Sequence, residues 1–212
     1  DKISIKGDSF TSASGLNLGD GNNKFSLKGS NSSLDLTTGS GADKISIKGD
    51  SFGEASYQSG DFQYNDSGLI NSGSGNDKIS IKGNDFNGVV DLGTGVDSLK
   101  FKGDDSFVGV ISQGVADKVD LKGNQLTAVI ELEGTGASVN VKGSGLDVSV
   151  DSVGSGNTVN ITGDNADLDL EGVSLVNVKG IDANIDANNV DALNLTGNAN
   201  LELVNSVVNA SK

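Results

Sequence analysis

The 212-residue chain has no cysteine, histidine, proline, methionine or tryptophan, and all 15 of its basic residues are lysine. Without cysteine there are no disulfides and no thiolate metal sites. Without histidine, cysteine or arginine, most catalytic bases and nucleophiles are gone as well. Aromatic residues make up 4% of the chain and hydrophobic residues 34%, too few for a thick globular core. No apolar run approaches the ~20 residues of a membrane-spanning helix. Acidic residues outnumber basic ones 29 to 15. The resulting charge of −14 lacks the basic footprint that nucleic acid requires. There is no initiator methionine and the chain opens inside a repeat, which reads as a mature or excised piece of something longer.

The repeat itself dominates what is present. DKISIKG occurs verbatim at Asp1–Gly7, Asp43–Gly49 and Asp77–Gly83. It returns in eroded form from Asn23, Asp97, Asp117, Ala137, Asn157, Ser174 and Asp191. Successive starts lie 22, 20, 34, 20, 20, 20, 20, 17 and 17 residues apart. A period in this range is the mark of a solenoid, in which no single repeat buries its own apolar face.

Within each repeat the first run alternates strictly, as in Ile45/Ile47, Ile79/Ile81 and Val139/Val141, which is the pattern of a half-buried strand. A glycine always follows it and suits a turn of positive φ. Several repeats then place an apolar residue at a corner, among them Phe10, Phe52, Phe86, Leu126 and Leu146. A second short alternating run follows, such as Leu34–Leu36 or Ile130–Leu132, and a Gly-x-Gly turn leads back. The spacing predicts an all-β, two-sheet parallel β-solenoid of about ten rungs of 17–22 residues. Residues 1–173 read as coils of about 20 residues with an insertion at about 53–73, and residues 174–212 as a terminal section with coils of about 17.

The turn before the strand carries the most chemistry. It reads GSGAD at Gly39–Asp43, GSGND at Gly73–Asp77 and GTGVD at Gly93–Asp97. This pattern resembles the RTX nonapeptide, G-G-x-G-x-D-x-U-x, of secreted bacterial proteins, the repeat of the calcium-binding β-roll. The resemblance is clear from about Gly39 to Asp117. The leading double glycine is missing throughout, and the opposite turn reads KGDSF or KGNDF where a full β-roll has a second nonapeptide. It implies Ca²⁺ held by glycine carbonyls and aspartate carboxylates, with one row of sites at most. The ligands would be Gly39, Gly41, Asp43, Gly73, Gly75, Asp77, Gly93, Gly95 and Asp97, together with Asp117, whose turn has lost the glycine spacing. Hard oxygens in a flexible turn are what Ca²⁺ prefers. Ala137, Asn157 and Ser174 stand at the aspartate position in later repeats, so those are expected to be metal-free.

Fourteen of the 15 lysines fall within the first strand of a repeat. They form two outward columns, Lys2 to Lys118 and Lys6 to Lys179, flanking a central row that runs from serine to asparagine. The columns read either as a solvated face kept soluble by charge or as a basic stripe that docks an anionic cell-surface polysaccharide. The insertion holds Tyr57, Phe62 and Tyr64, three of the nine aromatics, and reads either as a half-coil or surface flap or as a contact loop. Both end repeats alternate without a cap, which predicts self-association or further parts of the same larger chain beside them.

Three classes of function fit. The favoured one is a non-catalytic structural segment of an extracellular bacterial surface-layer or adhesin protein. A solenoid that binds or modifies polysaccharide is the alternative, although the carboxylates follow the repeat as scaffolding does. Ice binding fits less well, because Thr94 shares its turn position with Ser40, Ser74 and Asp20 and gives no regular threonine row.

Overall fold

The computed structural model describes residues 1–53, 56–58, 61–63 and 68–211. Among these, eleven parallel strands form one sheet and ten form a second, and the chain alternates between the two. The first sheet runs from Lys2–Lys6 through Lys24–Lys28, Lys44–Lys48, Lys78–Lys82 and Ser98–Lys102 to Val208–Ser211. The second runs from Thr11–Asn17 through Ser33–Thr37, Leu69–Asn71 and Asn87–Asp91 to Ala199–Val204. This is a two-sheet parallel β-solenoid. Its register sets like on like: Ile45 faces Ile79 and Ile47 faces Ile81 across neighbouring coils. One continuous core from Leu18 to Leu195 fills the space between the sheets. Strands of period two make this core possible, because every second side chain of both sheets points inward.

The corner after each first strand has an unexpected geometry. Most of the glycines there, Gly103 and Gly123 included, are not in a left-handed conformation. The left-handed residue comes two positions later, at Asp85 (φ 52°), Asp105 (φ 53°) and Gln125 (φ 51°). Glycine is required for a different reason. A Cβ on Gly103 would overlap the carbonyl oxygen of Gly83, and one on Gly123 that of Gly103. The coils touch backbone to backbone along this edge. Beside it, Phe52 stacks on Phe86 with centroids 5.4 Å apart, and Phe86 meets Phe101 at a tilt. Where serine takes this column its hydroxyl stays bonded: Ser106 accepts from the Phe86 amide (3.1 Å) and donates to the Asp104 carbonyl (2.8 Å).

The insertion interrupts an otherwise complete coil. Gly53 N donates to Ser32 O and Val89 N donates to Gly68 O, so both feet stay in the solenoid ladder. Leu69–Asn71 then takes the regular place in the second sheet. Ser56–Gln58 and Asp61–Gln63 pair antiparallel in a separate two-stranded sheet, with Tyr57 opposite Phe62. Tyr64 lies outside the described residues. Excising residues 54–67 would restore the 20-residue spacing and join Gly53 to Gly68, recreating the path of Asn87–Gly88 one coil on. Such a deletion is expected to fold with a melting temperature within a few degrees of the parent. Loss of the cooperative thermal transition would show instead that the segment supports the coil.

The 17-residue coils continue both sheets in unbroken register. The missing residues come out of the Gly-x-Gly turn: Asp151 to Thr158 is seven steps, whereas the equivalent Glu171 to Leu175 is four. Val173 and Val190, both buried, fill the interior there. The outer face of the second sheet also carries a small apolar cluster, Leu69, Val89, Phe107, Ile111 and Val129.

Candidate functional site

Asp43, Asp77, Asp97 and Asp117 form one column along the solenoid and are buried, at 3%, 1%, 2% and 0% exposure. They stand inward immediately before each strand, two residues ahead of the inward Ile45, Ile79, Leu99 and Val119. One oxygen of each ties two coils together. Asp43 Oδ1 accepts the Asn23 amide (2.6 Å), Asp77 Oδ1 that of Asp43 (2.8 Å), Asp97 Oδ1 that of Asp77 (2.7 Å) and Asp117 Oδ1 that of Asp97 (2.8 Å). Each carboxylate thus caps the strand of the coil before it.

The other oxygen separates the four. Asp117 Oδ2 accepts from the Ser112 hydroxyl at 2.7 Å and is satisfied. The Oδ2 atoms of Asp43, Asp77 and Asp97 are buried with no partner. At Asp77 the equivalent Ser72 gives its proton to Leu92 O (2.9 Å), and at Asp97 the equivalent residue is Leu92. An orphaned buried oxygen costs about 1–3 kcal/mol, and more when charged. Burial, the largest effect, pushes the Asp77 carboxyl up; it drives Asp97 up to about 7, helped by the neighbouring Asp117 and Asp77 charges.

Asparagine in the same column indicates what the orphaned oxygens face. Asn23 uses Oδ1 in the same way, accepting from the Asp1 amino group, and donates Nδ2 to Gly19 O and Gly21 O, both at 2.8 Å. Asn157 caps the Ala137 amide and donates Nδ2 to Gly134 O (3.0 Å) and Ser152 Oγ (3.0 Å). Gly39/Gly41, Gly73/Gly75 and Gly93/Gly95 hold the positions that Gly19/Gly21 hold before Asn23. In those coils an acceptor stands where asparagine supplies a donor. A hydrogen-bond donor or a cation would complete these oxygens. Donors of this kind, carbonyl and carboxylate oxygens, fit a hard cation. Among the described residues no three carboxylates come together to hold a metal ion, so each turn would supply one carboxylate plus its backbone.

The lysine columns are in register from Lys6 through Lys28, Lys48, Lys82, Lys102 and Lys122 to Lys142. Thr162 then interrupts the column before Lys179. The central row becomes a side-chain ladder in which each amide donates to the coil before: Asn140 to Asp120 (2.8 Å), Asn160 to Asn140 (3.1 Å), Asn177 to Asn160 (2.7 Å), Asn194 to Asn177 (2.8 Å) and Asn209 to Asn194 (3.3 Å). No helix is long and apolar enough to cross a membrane. No family model, curated protein or solved structure matches the chain.

Proposed function

We propose that this chain is a rigid, non-catalytic segment of an extracellular bacterial surface-layer or adhesin protein, an RTX-like solenoid tightened by Ca²⁺ at its Gly-x-Gly-x-Asp turns. The observation that carries this reading is the set of three buried aspartate oxygens without partners, each beside a turn whose asparagine counterpart donates to glycine carbonyls. Asp43, Asp77 and Asp97 would hold the ion together with the carbonyls of their turns. Asp117, satisfied by Ser112, is left with a capping role, which narrows the ligand set that the resemblance implied. The ion would supply only charge compensation; the aspartates cap the adjacent coil and keep the stack in register.

The structural role draws further support from the regular placement of the buried carboxylates, which repeat once per coil from Asp43 through Asp77 and Asp97 to Asp117, as a scaffold element does. The first sheet ends at the edge strands Lys2–Lys6 and Val208–Ser211, and Leu201, Leu203, Val204 and Val207 are exposed near the latter.

Hydrogen exchange in CaCl₂ and in EDTA tests the reading. Extracellular calcium modules bind at ~10⁻⁴–10⁻³ M. Tenfold saturation then adds ~1.4 kcal/mol per site, or about a tenfold slowing of exchange. Slowing is expected in the coils from Gly39 to about Asp97, with the asparagine-bearing coils after Ala137 unchanged. Uniform slowing, or none, would count against calcium at these turns.

A further inference from the structure

The two outer faces of the solenoid carry ladders of opposite charge. On the first sheet Lys2, Lys24, Lys44 and Lys78 stand in register, as do Lys82, Lys102, Lys122 and Lys142. On the second sheet Asp147 faces Asp167, Asp151 faces Glu171, and Asp169 faces Asp186, which faces Glu202. All of these side chains are exposed. Among the described residues none of these lysines or carboxylates has an opposite charge within 4 Å. Like charges directly opposite one another on neighbouring strands are destabilising. At Asp147 partial burial, and secondarily the Asp167 charge, pushes the carboxyl up.

The two ladders are also displaced along the axis. Residues 1–122 hold 12 lysines and 17 carboxylates, four of them the buried column. Residues 123–212 hold 3 lysines and 12 carboxylates. The outer charge of the first part is thus close to neutral with a lysine face, whereas the second part stands at −9.

We propose that two copies of this chain dock laterally, the lysine face of the first coils of one lying on the carboxylate face of the last coils of the next. Each face leaves uncompensated a charge that the other supplies. Both ladders are generated by the same coil stacking, so both repeat at ~4.8 Å and remain commensurate coil after coil. The faces belong to opposite sheets and to different stretches of the axis, so one molecule's two faces meet two different neighbours. Contacts of that kind are heterologous and do not close, and they build an open staggered row. A free polyanion would meet the same lysines but would leave the carboxylate face of the last coils uncompensated. The inference rests on the structural reading above and needs no calcium, so its test is run in EDTA.

Sedimentation velocity decides it, supported by two charge-neutralised variants. The parent is expected to form an open series in ~20 mM NaCl and to fall to monomer in ~500 mM, where screening shortens to a few ångströms. A lysine-face variant (Lys48→Gln, Lys82→Gln, Lys102→Gln, Lys122→Gln) and a carboxylate-face variant (Asp147→Asn, Asp167→Asn, Asp169→Asn, Glu171→Gln) should each associate at least tenfold more weakly. Mixed, they should form a one-to-one dimer and stop, since each keeps one intact face. A parent that is monomeric at low salt overturns the proposal. If that monomer is instead captured by polyglutamate, the lysine face belongs to a free polyanion. Variants that associate as the parent does also overturn it and point to the open sheet edges. Should a variant lose the parent's circular dichroism, salt and polyglutamate titrations of the parent still decide.

Discussion

Replacing Gly103 by alanine is expected to destabilise the solenoid by more than about 4 kcal/mol, in the range reserved for severe packing defects. The added methyl has nowhere to go, because its position coincides with the carbonyl oxygen of Gly83, and Phe101 closes the space from the side. The obstacle is backbone, not the far end of a flexible side chain, so relief means separating two coils. Separation breaks the ladder on both sheets at once, since Gly103 N itself donates to Lys122 O (3.0 Å). Gly136→Ala is the control. Its Cβ would stand 3.9 Å from Ala116, an ordinary contact, and only its φ of 69° disfavours alanine, by about 1–2 kcal/mol. Urea unfolding of both variants checks the pair. Equal, small losses would show that the coils are less closely stacked than Gly83 and Gly103 require.

The second large effect concerns Asp97 and has a definite sign in pH. Its folded carboxyl titrates at about 7 against an ordinary value of 3.8, chiefly through burial. The folded state therefore binds the proton more tightly than the unfolded chain. Its stability contribution is complete below about pH 4 and is lost as pH rises to about 7, at roughly 1.4 kcal/mol per unit for one group. In EDTA the parent should accordingly weaken by a few kcal/mol between pH 5 and pH 8. Asp97→Asn should abolish most of that slope and be the more stable protein at pH 8. The substituted amide would keep Oδ1 on the Asp77 amide and supply the donor that Asn23 and Asn157 direct at their glycine carbonyls. In millimolar CaCl₂ the order should narrow, because the parent gains from the ion and the variant has given up the carboxylate. A variant less stable than the parent in EDTA at pH 8 would mean that Asp97 Oδ2 does not lack a positive partner.

The sequence by itself determined the architecture. Parallel stacking places residue on equivalent residue, so a motif that repeats every 20 residues already contains its own register. The lysine columns, the asparagine ladder and the inward pairs such as Ile45/Ile47 followed from alternation alone. The inward position of Asp43, Asp77 and Asp97 was legible by the same rule, two residues before each inward isoleucine or leucine. The glycine-rich turn beside them drew attention to the turn and away from the core.

Other features belong to the tertiary structure, because each depends on a distance between coils or on the offset between the two sheets. A glycine after a strand looks alike whether it serves a left-handed turn or a backbone contact. Only the stacking of Gly103 on Gly83 distinguished them, and it moved the left-handed residue to Asp105. The sequence leaves open whether the insertion is a half-coil, a surface flap or a contact loop, and only the structure shows Leu69–Asn71 filling the regular place in the second sheet. The carboxylate face was hidden in sequence because the second run is short and its register against its neighbours is set across the corner. The satisfaction of Asp117 by Ser112, five residues earlier, appeared only once the turn between them was closed, since two side chains on facing walls of one interior have no sequence period of their own.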